Sequence, residues 1–285
     1  MHDLNFRSNY AQSKNGLREL GSLILDVFDV DISSLDRLGH DPSIVAFGWW
    51  HDEHLVANVS LYERRLCLSG QSVVAFGVQS VATRPEWRNR GLFRDLMARA
   101  LDYADKRSAL AILVTGTPNL YRSFGFRKIE EVRFSSKLTR RISASTCREL
   151  SLGSDGDLGL LNRIFATRVP TSLLASACDH PALFMLKAKL TPEIRLLHLP
   201  PLDAIVAVKQ DTSSLTILDI VASAIPSLDE IVNAIGFNGQ HVHVHLTPDR
   251  LSWQPDESYP VDNGYMVRGH FAPEGQAFML SDMRS

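Results

Sequence analysis

Arg88-Asn89-Arg90-Gly91-Leu92-Phe93 sets two guanidinium groups beside one glycine, between a strand-like run that ends at Pro85 and an amphipathic helix. Such a turn aims unpaired backbone N–H groups and the positive end of a helix dipole at one point, which makes it a seat for a phosphate group. Two familiar phosphate loops are excluded. A mononucleotide loop needs a Gly-Lys-Ser/Thr ending, which is absent here. A dinucleotide loop needs three spaced glycines and a later acidic residue, and only Gly91 stands here. What remains is an Arg-x-x-Gly-x turn, and taken alone it could equally be a solvated, arginine-rich loop.

The flanking elements support the first reading. Phe93, Leu96, Met97, Ala100, Leu101 and Ala104 recur at helical steps as one apolar stripe. Asp95–Arg99 and Asp102–Lys106 are favourable i,i+4 pairs on the opposite face. Ser72 to Thr83 reads as the preceding strand and Ala109 to Thr115 as the following one. After that second strand comes Thr117-Pro118-Asn119-Leu120-Tyr121-Arg122-Ser123-Phe124-Gly125-Phe126, a Tyr-x-x-x-Gly-Phe element.

On these two motifs the sequence resembles the GNAT superfamily of acyl-CoA-dependent N-acyltransferases, whose pyrophosphate loop reads Arg/Gln-x-x-Gly-x-Gly/Ala. It departs from that pattern at Phe93, where the family has a small residue. The resemblance implies that Arg88, Asn89, Arg90, Gly91, Leu92 and Phe93 hold the pyrophosphate of acetyl-CoA or another short acyl-CoA, a co-substrate that needs no metal. It implies that the segment Val81, Ala82 and Thr83 lies along the acyl arm, with backbone N–H groups of Val81 and Thr83 on the thioester carbonyl and pantetheine. An N–H aimed at that oxygen stabilises the charge that grows there during amine attack. It also implies that Tyr121 protonates the departing thiolate. A phenol, with an ordinary pKa of about 10, suits that task because a thiol sits at about 8.5. Asn119 is the nearest match to an asparagine that contacts pantetheine in the family, although it stands closer to the tyrosine than is usual there. The bland alternative for Tyr121 is an amphipathic core tyrosine.

Upstream, Ser13 to Phe28 carries Leu17, Leu20, Ile24 and Val27 at a helical period, and a second short helix is expected around Asp31 to Leu38. Val45 to Trp50, a turn at His51-Asp52-Glu53, and Leu55 to Leu68 read as a hairpin leading into the long strand. The fold class expected is α+β (α/β mixed): a GNAT fold over residues 1–142, with a central, mostly antiparallel mixed sheet flanked by helices. Many family members place a catalytic base carboxylate on the long strand. The equivalent stretch here is Phe76-Gly77-Val78-Gln79-Ser80, with glycine at the matching place. Glu63, Glu53, His51 and His54 are base candidates by location only, and each is equally a plain surface hairpin residue. Direct transfer requires no nucleophilic Ser or Cys, and Cys67 and Cys147 have no motif around them.

Composition bounds the rest. An apolar fraction of 45% supports a normal core and 22% charged residues exclude a disordered chain. No apolar run approaches the roughly 20 residues of a membrane span, and the N-terminus lacks a signal-peptide pattern. Three cysteines match no zinc spacing, so a reducing cytoplasm is the expected location. Residues 1–142 hold 20 Lys/Arg and 16 Asp/Glu, a balance of +4, while residues 143–285 hold 10 and 16, a balance of −6. The mildly basic first half suits an anionic coenzyme and falls short of a nucleic-acid surface.

Residues 143–285 repeat the order of helices, strands, helix and strand. Helices are expected at Leu158 to Thr167, at His180 to Lys189, and from the capping box Ser227-Leu228-Asp229-Glu230 to about Ile235. Strands are expected at Arg195 to His198, Ala204 to Val208, Ser214 to Ile220, His241 to Leu246, Tyr265 to Arg268 and Phe278 to Leu280. This half therefore reads as a second, degenerate GNAT-like domain or another α+β domain, walling the acceptor cleft. Val221 to Pro226 carries neither arginine nor glycine where a pyrophosphate would sit, so this copy is expected not to bind coenzyme A. His241, His243 and His245 share one strand face. Their spacing of about 7 Å is too wide for one ion, so a polar sheet face is expected rather than a metal site.

Two functions follow as expectations. The first is an N-acetyltransferase moving an acetyl or short acyl group from acetyl-CoA to an amine of a small molecule or peptide. The second is a non-catalytic acyl-CoA-binding or interaction protein on the same scaffold. Neither nucleic acid nor a membrane is an expected partner, and the oligomeric state is open.

Overall fold

The computed structural model describes residues 3–138 and 145–284. The chain begins with β1 (Leu4–Ser8), α1 (Lys14–Phe28), α2 (Leu35–Leu38), β2 (Val45–His51), β3 (His54–Leu68) and β4 (Gln71–Thr83). There follow α3 (Leu92–Asp105), β5 (Ala111–Val114), α4 (Asn119–Arg122), β6 (Arg127–Lys128), β7 (Glu131–Lys137), β8 (Arg148–Glu149), α5 (Asp155–Ala166) and β9 (Ala175–Ala177). The remainder is α6 (Pro181–Leu190), β10 (Arg195–Leu199), β11 (Ala204–Gln210), β12 (Ser214–Val221), α7 (Leu228–Ile235), β13 (His241–Val244), β14 (Glu257–Val261) and β15 (Tyr265–Arg268).

Two compact units are assembled from interleaved stretches. Met1–Arg64, Val74–Ile129 and Gly264–Phe271 form one; Arg65–Val73, Glu130–Asn263 and Ala272–Ser285 form the other. The expected boundary at 142/143 lies outside the described residues. In the first unit the strand order is β1-β2-β3-β4-β5-β15-β6. β4 and β5 are parallel, joined through α3, whereas β1–β2, β2–β3, β5–β15 and β15–β6 are antiparallel. The sheet is thus mixed and mostly antiparallel, flanked by helices.

The α3 stripe explains why this sheet is covered. Leu96, Met97 and Ala100 are fully buried and Leu101 and Ala104 nearly so, against Phe47, Val59, Phe76, Val78, Leu113 and Met266. Each large side chain buried in this way contributes about 2 kcal/mol of apolar transfer. The outer face carries both ion pairs expected there, Arg99 Nε to Asp95 Oδ2 at 2.8 Å and Lys106 Nζ to Asp102 Oδ2 at 2.6 Å. α1 forms with Ser13 as its N-cap, the hydroxyl accepting from Gly16 N, and buries Leu20, Leu23 and Ile24. The second helix is shorter than expected, Leu35–Leu38 only, because Asp31 folds back on Ser33 N at 2.8 Å in a local turn.

The second unit has its own sheet, β14-β7-β13-β12-β11-β10-β8. There β12 runs antiparallel to β11 and parallel to β13, with α7 as the connection, the same local arrangement as β4, α3 and β5. Val242 and Val244 point into a core with Ile217, Ile231 and Val232, which leaves the histidines of β13 on the other face. His245 bonds Asp282, Nδ1 to Oδ2 at 2.5 Å, and no group of three or more metal-ligating side chains exists among the described residues. Phe278 to Leu280 is a correction: it forms no strand, and joins the fold by isolated bonds such as Val132 N to Phe278 O at 2.8 Å. Among the described residues no helix is long and apolar enough to cross a membrane.

Candidate functional site

Between β4 and α3 the chain makes a single 3-10 turn at Pro85–Trp87 and then the basic loop. Asn89 and Gly91 are both left-handed, at φ 62° and 79°. Glycine adopts that conformation without steric cost, and nothing lies within 4 Å of where a Cβ on Gly91 would stand. Gly91 is the N-cap of α3 and no side chain caps it. That sets α3 apart from the other long helices. Ser13, Ser154, His180 and Ser227 each accept a backbone N–H at the start of α1, α5, α6 and α7. The first turn of α3 therefore carries no side-chain cap, with the dipole behind it, as an anion site requires.

The arginines are partly tied in place. Arg88 Nε donates to Thr83 O at 3.1 Å, and Arg90 Nη2 donates to Glu86 O at 3.0 Å while its guanidinium stacks 4.5 Å over the Trp87 ring. Both remain exposed. Arg84 is committed elsewhere, paired with Asp26 and donating to Leu55 O at 2.9 Å. Leu92 is buried, and Phe93 turns its ring edge-on to Tyr121 and Phe124, at 5.8 and 5.7 Å between centroids. Its bulk thus joins an aromatic cluster and leaves the space at Gly91 open.

The strand before the loop has an unusual end. The parallel ladder between β4 and β5 covers Phe76↔Ala111 and Gly77↔Ile112 and then stops, although β4 runs on to Thr83. Within that stretch Ser80 is left-handed at φ 51°, a conformation that costs a non-glycine residue about 1 kcal/mol. Val81 and Thr83 are half-buried, whereas Ala82 faces the core. Val81 packs its side chain against the core under α3, so what this stretch can offer a ligand is its backbone.

Tyr121 sits in α4, just past the end of β5, 7% exposed, with Phe126 edge-on to its ring at 6.2 Å. Burial pushes the phenol pKa up, so the hydroxyl is held protonated. Asn119 is exposed at the start of α4. Beside them Val114 and Leu120 are apolar yet 50% and 54% exposed. The turn after Tyr121 is fastened from far along the chain: Arg268 Nε donates to Phe124 O at 3.0 Å, and its guanidinium pairs with Asp105. Sequence reading missed Arg268, because its strand could be read but its partner strands could not.

The base candidates are dispersed. Glu53 pairs with Arg7 at 2.8 Å, and the Arg7 hydrogen bond holds its carboxyl below the usual range. His54 lies 3.6 Å from Glu19, the His51 ring stacks 5.0 Å from Trp87, and Glu63 is exposed on β3. At Gly77 a side chain would collide with Arg64, whose Nε is 2.9 Å from the Cβ position.

In the second unit the equivalent helix start is filled. Ser227 and Glu230 form a complete capping box at α7, with Glu230 Oε2 accepting from Ser227 N at 2.8 Å. A carboxylate of the chain itself occupies the anion position there.

Residues 32–129 match the family model of an acetyltransferase (GNAT) domain. No curated protein matches the chain. Among solved structures, Eis1 of Mycobacterium abscessus superposes with a TM-score of 0.60 at 16% identity, covering 93% of this chain and 73% of that one. A GCN5-related N-acetyltransferase of Kribbella flavida gives 0.56 at 17% identity, covering 95% and 73%. One from Anabaena variabilis gives 0.57 at 14% identity, covering 93% and 72%. At these identities the likeness is one of fold.

Proposed function

With a GNAT-superfamily acyltransferase domain in residues 32–129 as the premise, we propose that the chain is an N-acetyltransferase that moves an acetyl or short acyl group from acyl-CoA to an amine of a small molecule or peptide. The observation that carries this reading is the uncapped start of α3 at a left-handed Gly91, flanked by the exposed Arg88 and Arg90. These groups fit a pyrophosphate in charge and in donor chemistry. Acetyl-CoA supplies an activated thioester. Beyond the last β4–β5 pair, the backbone of Val81 and Thr83 is suited to take its arm, and N–H groups there would stabilise the oxyanion. The half-exposed Val114 and Leu120 suit the apolar part of that arm. Tyr121 holds its proton until the thiolate leaves, then donates it. The attacking nitrogen loses its own proton to water or arrives neutral, in keeping with Gly77 on β4 and a base set that does not converge.

Titration of acetyl-CoA by calorimetry tests the donor site. Saturable micromolar binding at one site per chain is expected, since α7 fills its own helix start. A flat titration would remove the loop assignment, and two sites would remove the silent role given to the second unit. The missing strand carboxylate also supports a second reading, an acyl-CoA-binding protein without turnover. An amine-acceptor screen separates the two.

Arg268 gives a further check on Tyr121. Arg268→Ala frees Phe124 O and the turn that seats the phenol, and should slow turnover roughly tenfold. Acetyl-CoA affinity should fall less than turnover, because Arg268 reaches the basic loop only through the ring contact of Phe124 with Phe93. Equal losses in affinity and turnover would count against this positioning.

A further inference from the structure

Asn58 lies inside β3, as its fifth residue, and is 1% exposed. Asparagine is disfavoured in strand interiors, and a buried amide costs free energy unless its polar atoms are bonded. Here both ends are used. Nδ2 donates to Ser80 O at 2.6 Å and to Ser60 Oγ at 3.0 Å, and Oδ1 accepts from Tyr10 Oη at 2.5 Å. Burial, reinforced by nearby Tyr62, keeps the Tyr10 phenol protonated. As a steady donor it fixes which way the amide faces.

The acceptor on β4 is the carbonyl of the one left-handed residue in that strand, Ser80 at φ 51°. A serine stays in that well only where its surroundings hold it. β5 provides no hold, since its ladder ends at Gly77. Support comes from β3, through Asn58 on Ser80 O and through Arg84 N on Val56 O at 2.9 Å. Val81 and Thr83 lie between those two points.

We propose that Asn58 is a positioning residue: it sets the kink at Ser80 and thereby the aim of the Val81 and Thr83 backbone toward the acyl thioester. The proposal rests on the acyl-transfer reading above and adds to it the residue that shapes the thioester end of the site. Tyr10 orients the Asn58 amide, and Ser60 completes its bonding. The pyrophosphate loop lies outside this network, so the two ends of the donor site are separable by mutation.

The experiment compares Asn58→Ala, Tyr10→Phe, Ser80→Gly and the double variant Asn58→Ala/Ser80→Gly with the parent chain. Readouts are kcat and KM for acetyl transfer, the Kd of free coenzyme A, and hydrogen exchange of the backbone amides from Gln79 to Thr83. Asn58→Ala should lower kcat by at least about tenfold, with a clearly smaller loss of coenzyme A affinity, since the pyrophosphate end is untouched, and faster exchange in that stretch. Tyr10→Phe should show the same pattern more weakly, and serves if Asn58→Ala does not fold. Adding Ser80→Gly should restore part of kcat, because glycine takes the left-handed well without Asn58. Unchanged kcat and exchange in Asn58→Ala overturns the proposal. So does a parallel loss of kcat, coenzyme affinity and thermal midpoint that Ser80→Gly leaves unrepaired. Failure of the parent chain to bind coenzyme A overturns the acyl-transfer reading instead, and the exchange data still report whether Asn58 holds the kink.

Discussion

Gly91→Glu should weaken acetyl-CoA binding by at least about a hundredfold while leaving the protein folded. Both halves of that expectation come from the same physics. The space at the Gly91 Cβ position is empty, so the first atom of a new side chain meets no clash; the left-handed φ of 79° costs about 1 kcal/mol. A carboxylate at an uncapped helix start recovers much of that through the dipole and the free N–H groups. The carboxylate then stands at the helix start proposed for the pyrophosphate and repels it. At α7 a carboxylate also lies at the helix start, though it comes from the third helical position, Glu230, and closes onto the Ser227 cap. Calorimetry with acetyl-CoA, paired with a thermal melt, checks both halves. Retained micromolar affinity would remove Gly91 from the donor site, and Gly91→Ala should fall well short of the glutamate effect because it adds no charge.

Tyr121→Phe should lower kcat by about a hundredfold or more, the range for losing a positioned proton donor. Acyl-CoA affinity should hold, because the ring is kept and its edge contacts with Phe93 and Phe126 need no hydroxyl. The pH profile adds a signed test. Burial raises the Tyr121 pKa above its ordinary value of about 10. The phenol thus stays protonated through neutral and mildly alkaline pH, and the loss of its proton should cut kcat only above about pH 10. Below that, activity should rise with pH as the acceptor amine deprotonates. In the phenylalanine variant the upper limb should vanish while the rise remains. Full activity in Tyr121→Phe would take the acid role away from this residue.

The sequence determined whatever neighbours along the chain settle among themselves. The apolar stripe of α3, its two ion pairs, the capping box at Ser227 and the glycine of the basic turn all act within about four residues, and all were legible as letters. The motif pair Arg88–Phe93 and Tyr121–Phe126 was legible for the same reason, since each is one local turn. Tertiary structure decided what depends on partners remote in sequence. Tyr265 to Arg268 could be read as a strand, yet only the assembled sheet shows it paired with β5 and β6, with Arg268 clamping Phe124 across 144 residues. Phe93 departs on paper from the pattern the loop resembles; its ring packs with Tyr121 and Phe124, and the Cβ position at Gly91 stays empty. Ser80 looked like an ordinary strand serine until the end of the β4–β5 ladder and the amide of Asn58 defined its conformation. Propensity is a local quantity, whereas strand pairing and a kink held from the next strand exist only once distant segments share a core.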